Sequence, residues 1–208
     1  LMEVPMKFLL SGKKEQVPFK ISYREGGAKE LLSFKLLQLT ATEGFHLHDC
    51  IVICIGTDRS TGDALGPLVG TRLVERNAGI AVYGTLDEPV HALNLQETLD
   101  VIASRYDNPR ILAIDACLGQ LSSVGCIQLC SGPVMPGAGV NKKLPPVGDV
   151  HMTGIVNVGG FMEYFVLQNT RLSLVFQMAD VMASAILHAL SWSQQAAVLP
   201  SRMPRTTS

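Results

Sequence analysis

Residues 51–67 read IVICIGTDRSTGDALGP, a buried-strand pattern that runs into a polar, glycine-punctuated turn and then into a helix start. Nearly every position of 50–55 is apolar, as in a central parallel strand covered on both faces. Gly56 ends the run. Residues 57–61 supply an acid, a base and three hydroxyls, and Gly62 and Asp63 precede the helix-forming Ala64 and Leu65. Asp63 therefore falls near a helix N-terminus and at the carboxyl end of a strand, where open α/β sheets bind ligands.

Outward from this stretch, strands and helices alternate. Helices are expected over 28–39, 64–77, 94–106, 160–168 and 179–192, and strands over 50–55, 80–83, 110–115, 126–130, 151–156 and 172–176. Such alternation implies a three-layer αβα arrangement around a mostly parallel sheet. The chain divides into an N-terminal arm and helix over 1–45, an α/β domain over 46–194 and a disordered tail over 195–208. The arm, irregular over 1–26, is expected to cover one sheet edge. The loop 131–149, SGPVMPGAGVNKKLPPVGD, is dense in glycine and proline, and a loop of that length in a compact domain is usually functional.

Composition narrows the function classes. The chain has 208 residues, 47% of them apolar and 17% charged, enough to bury one substantial core. A net charge of −1 gives no global electrostatic reason to bind nucleic acid or an anionic membrane. The apolar run 181–190 is about half of the roughly 20 residues a membrane span needs, and it reads as a core helix. The N-terminal residues lack a signal-peptide core, so a cytoplasmic location is expected.

Two strands lead into aspartates: Asp63 just past the first, and Asp115 at the tip of RILAID, residues 110–115. If those strands are neighbours, both carboxyls face one crevice. Two acids held close cannot both ionise cheaply, so one pKa rises and the pair can serve as acid and base around a water. Each aspartate also has a plain structural reading, as a helix cap or a turn former.

The five cysteines include two pairs four apart, Cys50 with Cys54 and Cys126 with Cys130. Residues four apart on a strand are about 13 Å apart, too far to share an ion, so these read as small buried residues in a reducing compartment. Cys117, two residues after Asp115, reads as half-buried packing rather than a reactive thiol.

GTDRSTGDALGP, AIDACLG and SGPVMPGAGVNKK, in this order, resemble segments of the YyaC-like sporulation proteins, often labelled spore proteases, over most of 50–190. Those proteins are similar in turn to the germination protease that degrades small acid-soluble spore proteins. The resemblance implies the phosphorylase/hydrolase-like fold shared by hydrogenase maturation endopeptidases and purine nucleoside phosphorylases. It also implies a catalytic pair at Asp63 and Asp115 and a peptide or protein substrate, such as a spore protein, met in the cytoplasm of the forespore or spore core. Thr57, Asp58, Arg59, Ser60 and Thr61 on one side, and Pro136, Gly137, Gly139 and Asn141 on the other, then become the expected substrate-binding wall.

The chain departs from the germination protease in being shorter and in carrying Thr57 and Asp58 after the first glycine. The third acid opens a metal-dependent alternative like that of the hydrogenase maturation endopeptidases. A divalent ion would be held by Asp63, Asp115 and His151, with His91 as the second choice of histidine. The metal-free pair, needing no cofactor, is preferred, because a lone histidine is more often structural. A further alternative keeps the fold without proteolysis, as a sporulation binding or regulatory protein. Apolar residues in the arm would support a homo-oligomer.

Overall fold

β2, Cys50–Cys54, explains its own composition. Cys50, Val52 and Cys54 face one apolar cluster, while Ile51 and Ile53 face another on the opposite side of the sheet. A strand buried on both faces has no polar side to show. The computed structural model describes residues 18–137 and 144–198, the last five of them as backbone only.

Eleven strands and α-helices follow one another along these residues: β1 Phe19–Ser22, α1 Ala28–Thr42, β2, α2 Leu65–Glu75, β3 Ala81–Tyr83, α3 Leu95–Arg105, β4 Arg110–Gly119, β5 Cys126–Ser131, β6 Val150–Val158, α4 Glu163–Gln168 and α5 Leu172–Val198. The strands form one sheet in the order β1-β5-β6-β4-β2-β3. β6, β4, β2 and β3 run parallel, β5 is antiparallel to β6, and β1 is antiparallel to β5. α1, α2 and α5 cover one face, and α3 covers the other through Leu95 and Ile102. The fold is a three-layer αβα structure with a mostly parallel sheet.

The chain order positions the site. From β2 it moves outward to β3, then returns across β2 to form β4 on the other side. Right-handed crossovers in opposite directions put α2 and α3 on opposite faces, so the carboxyl ends of β2 and β4 diverge into a crevice.

Three expectations need correction. Residues 19–22 of the arm are not irregular but form the edge strand β1, and Leu32 and Leu36 of α1 are fully buried in the same core as α5. Residues 172–176 are not a strand but the first turns of α5. LSLVF is strand-like in composition, yet Val175, Met178, Ala179, Met182, Ala183 and Ile186 form one buried helical stripe while Leu172 and Phe176 stay exposed. β4 does not stop at Asp115 but continues to Gly119, with a register shift between Cys117 and Leu118.

α5 is held to α2 by Arg72, buried at 7% exposure, whose Nε donates to Asp180 Oδ1 at 2.6 Å and whose guanidinium stacks 4.2 Å from the Phe176 ring. Leu172–Ser193 is long and apolar enough to cross a membrane, unlike the shorter run seen in the sequence, but its buried stripe packs into the core beneath the sheet.

Candidate active site

Gly56 begins the site. Its φ of +144° is a conformation that L side chains rarely adopt, and a Cβ there would stand 1.9 Å from the carbonyl oxygen of Asp63. The missing side chain lets the loop fold back on the end of β2. Gly56 N–H donates to Val90 O at 2.8 Å, and Thr57 N–H donates to Asp63 O at 3.2 Å. At the far side Gly62 N–H donates to Leu167 O at 2.9 Å, tying the loop to α4. A Cβ on Gly66 would lie 2.1 Å from Ile55 O, so the first turn of α2 also rests directly on the strand end.

These contacts aim Asp63 into the crevice. The capping role allowed by the sequence is not what the residue does: the N-cap of α2 is Ala64, and no side chain caps that helix. The last β4 residue paired with β2 is Ile114, opposite Cys54, and Ile114 O accepts the N–H of Ile55 at 2.7 Å. Asp115 is therefore the first residue beyond the point where β2 turns away, while β6 still supports it through Thr153.

Asp63 and Asp115 line a single cavity of about 220 Å³, with Thr57, Arg59, Pro136 and Gly137 from the expected wall. The remaining lining is mainly apolar and includes Ile55, Leu93, Leu118, Leu144 and Leu167. Asp58 is exposed outside it, Thr61 is half-buried outside it, and Ser60 is buried at 4% exposure behind Asp63. Gly139 and Asn141 lie outside the described residues. Leu167 and Leu144 had no signal in the sequence, since a lone leucine on a short helix or loop looks like ordinary packing.

The electrostatics separate the two acids. Burial pushes the Asp115 carboxyl up to about 8; the Ala116 N–H, which donates to its Oδ1 at 2.8 Å, opposes this, and the charge of Asp63 adds to it. Burial also raises Asp63 above the ordinary carboxylate range, partly offset by the nearby Ser60 hydroxyl. That hydroxyl is close enough to favour the ionised acid but makes no hydrogen bond of proper geometry within the protein. Cys117 lines the same cavity, but burial pushes its thiol up to about 11, so at neutral pH it is no thiolate nucleophile.

Asp115 makes stability pH-dependent. The unfolded carboxyl ionises at its ordinary 3.8 and the folded one near 8, so between these values the native state binds the extra proton. Stability is then expected to fall with rising pH across that window, by up to about 1.4 kcal/mol per pH unit, and to level off above it. Urea unfolding at several pH values, compared with Asp115→Asn, isolates this contribution. An identical pH dependence in the two proteins would refute it.

The histidines change places relative to the metal alternative. His151 lies on β6 opposite Ala113, one pleat before the Asp115 level, and is not part of the cavity wall. Its Nδ1 is 2.8 Å from Gly132 O, which can only accept, so Nδ1 carries the proton. His91 does line the cavity, and its Nδ1 accepts the Leu93 N–H at 3.3 Å. Among the described residues no three His, Cys, Asp or Glu side chains come together to hold an ion, so the donor set does not fit a bound metal.

Comparison with known proteins finds relatives of this chain. A Bacillus subtilis (strain 168) protein described as "Uncharacterized protein YyaC" is 55% identical over 148 residues, covering 70% of this chain and 72% of that one. Two solved structures are similar in part. The [NiFe] hydrogenase maturation protease HycI from Thermococcus kodakarensis KOD1 has a TM-score of 0.44 and 20% identity, covering 69% of this chain and 93% of its own. The [NiFe] hydrogenase maturation protease HybD from Thermococcus kodakarensis has a TM-score of 0.37 and 15% identity, covering 71% and 98%. The family model described as "Protein of unknown function (DUF1256)" matches residues 20–185, and the chain belongs to that family.

Proposed function

We propose that this protein is a peptidase that hydrolyses peptide bonds with an aspartate pair and a water, acting on a polypeptide of the sporulating cell. One observation carries the reading. At the switch point of the sheet two carboxyls share a small, largely apolar cavity, and one of them is held protonated at neutral pH beside the other. A crevice used only for binding seldom needs that arrangement. The sporulation setting rests on the resemblance of the three sequence segments to spore proteins.

The chemistry divides between the acids. Asp63, ionised, takes a proton from water as the water oxygen attacks the carbonyl carbon. Asp115 gives its proton to the carbonyl oxygen, forming a tetrahedral diol. The C–N bond then breaks as the leaving nitrogen takes the proton from Asp63, and a diol hydroxyl returns its proton to Asp115. An acid and an amine leave, and both carboxyls regain their starting states. The apolar wall excludes water and strengthens both interactions, and Ser60 favours the ionised form of Asp63.

The test is mass spectrometry of a diverse pool of unfolded peptides, including small acid-soluble spore proteins, incubated with the purified protein. Cleavage at a defined bond, with a rate that declines above about pH 8 as Asp115 ionises, is the expected result. A folded protein that leaves every peptide intact overturns the reading.

A further inference from the structure

A second concavity, of about 570 Å³, lies along the outer edge of β3 and is walled on its other side by α3. Among the described residues β3 ends the sheet and pairs only with β2, so alternate residues turn main-chain N–H and C=O groups away from the sheet. The opposite edge is protected by a charge: Lys20 sits mid-strand in β1. β3 reads AVY, with neither charge nor proline, and only its shortness limits pairing.

The polar side chains of the groove are largely occupied already. The Asn94 amide donates to Pro89 O and accepts from His91 N–H, Thr98 Oγ1 donates to Asn94 O, and Arg105 reaches the Tyr83 hydroxyl at 3.4 Å. The β3 main chain adds N–H and C=O groups that a ligand can meet, and their complement is another main chain. The groove's charged residues, Glu88 and Arg105, are of opposite sign, which gives no preference for a phosphate or other anion.

Its length suits the same occupant. Asn94 and Arg105 both line it, and eleven helical steps of 1.5 Å span about 16 Å, the length of roughly five extended residues. His91 lines both this groove and the carboxylate cavity, so the two adjoin at that residue. We propose that the polypeptide substrate binds in extended form as an added strand on the free edge of β3, and that the groove leads it past His91 to Asp63 and Asp115. This deepens, and rests on, the peptidase reading. Three edge residues allow few rungs, so main-chain pairing supplies the direction of the bound chain and the groove walls supply much of the contact.

The experiment is hydrogen–deuterium exchange on the Asp115→Asn protein, with and without an equimolar pool of random decapeptides. The outward amides of Ala81–Tyr83 should slow at least tenfold, and Thr98→Trp, which fills the groove, should remove that protection while circular dichroism stays unchanged. A parallel measurement leaves the protein unaltered: for a peptide recovered by binding, N-methylation of alternate amides should weaken affinity at least tenfold in one alternation and little in the other. Unchanged exchange at β3, or equal effects of the two methylation patterns, overturns the proposal even where the parent protein cleaves the pool. Protection of β3 with no cleavage by the parent instead supports the edge site and overturns the peptidase reading.

Discussion

Asp115→Asn is expected to lower kcat by about 10²–10⁴-fold while leaving peptide affinity close to the parent's, because it removes a proton donor and little volume. The same substitution should raise stability at pH 9. The parent must carry an ionised carboxyl in a site that resists it, and the amide carries none. Loss of turnover together with a gain in stability separates a catalytic role from damage to the fold, which would lower both. Asp63→Asn should lower kcat similarly, and the double variant should be little worse than either single one, since the two acids act on one water. Steady-state kinetics and urea unfolding on the four proteins test this. Full turnover in either single variant would sink the paired mechanism.

Gly56→Ala should be severely damaging although it adds a single methyl group. The backbone at φ +144° disfavours any side chain, and the new Cβ would overlap the Asp63 carbonyl oxygen at 1.9 Å and Pro67 Cδ at 2.9 Å. Neither backbone can yield without moving the strand end or the start of α2. Strain and overpacking together predict a loss of about 3 kcal/mol or more. In molecules that still fold, the Asp63 carboxyl moves away from its partner, and a displacement near 1 Å is enough for about a hundredfold loss of rate. Urea unfolding and peptide turnover read the two effects. Unchanged stability would mean that the close approach of this loop to β2 is wrong.

The corrected elements mark what local pattern can and cannot carry. Residues 172–176 have a strand's composition, and only packing against α1, α2 and the sheet makes Val175 one member of a helical stripe. In sequence His151 follows the glycine-rich loop closely and stands nearest to it of the histidines, but parallel pairing with β4 holds it below the cavity, while His91 enters the wall from the far end of the β3–α3 connection. Leu167 contributes to the cavity because α4 receives the Gly62 N–H, a contact with no local signature.

By itself the sequence determined that β2 is a two-faced buried strand, that a glycine ends it, and that acids stand at or just beyond two strand ends. Those properties depend on side-chain period and backbone conformation over a few consecutive residues. Only the tertiary structure decided that β2 and β4 are neighbours, that Asp63 and Asp115 share one cavity, and that a groove along the outer strand β3 adjoins it. Strand order and the burial that raises Asp115 arise from segments distant in the chain, and no local pattern records which of them will meet.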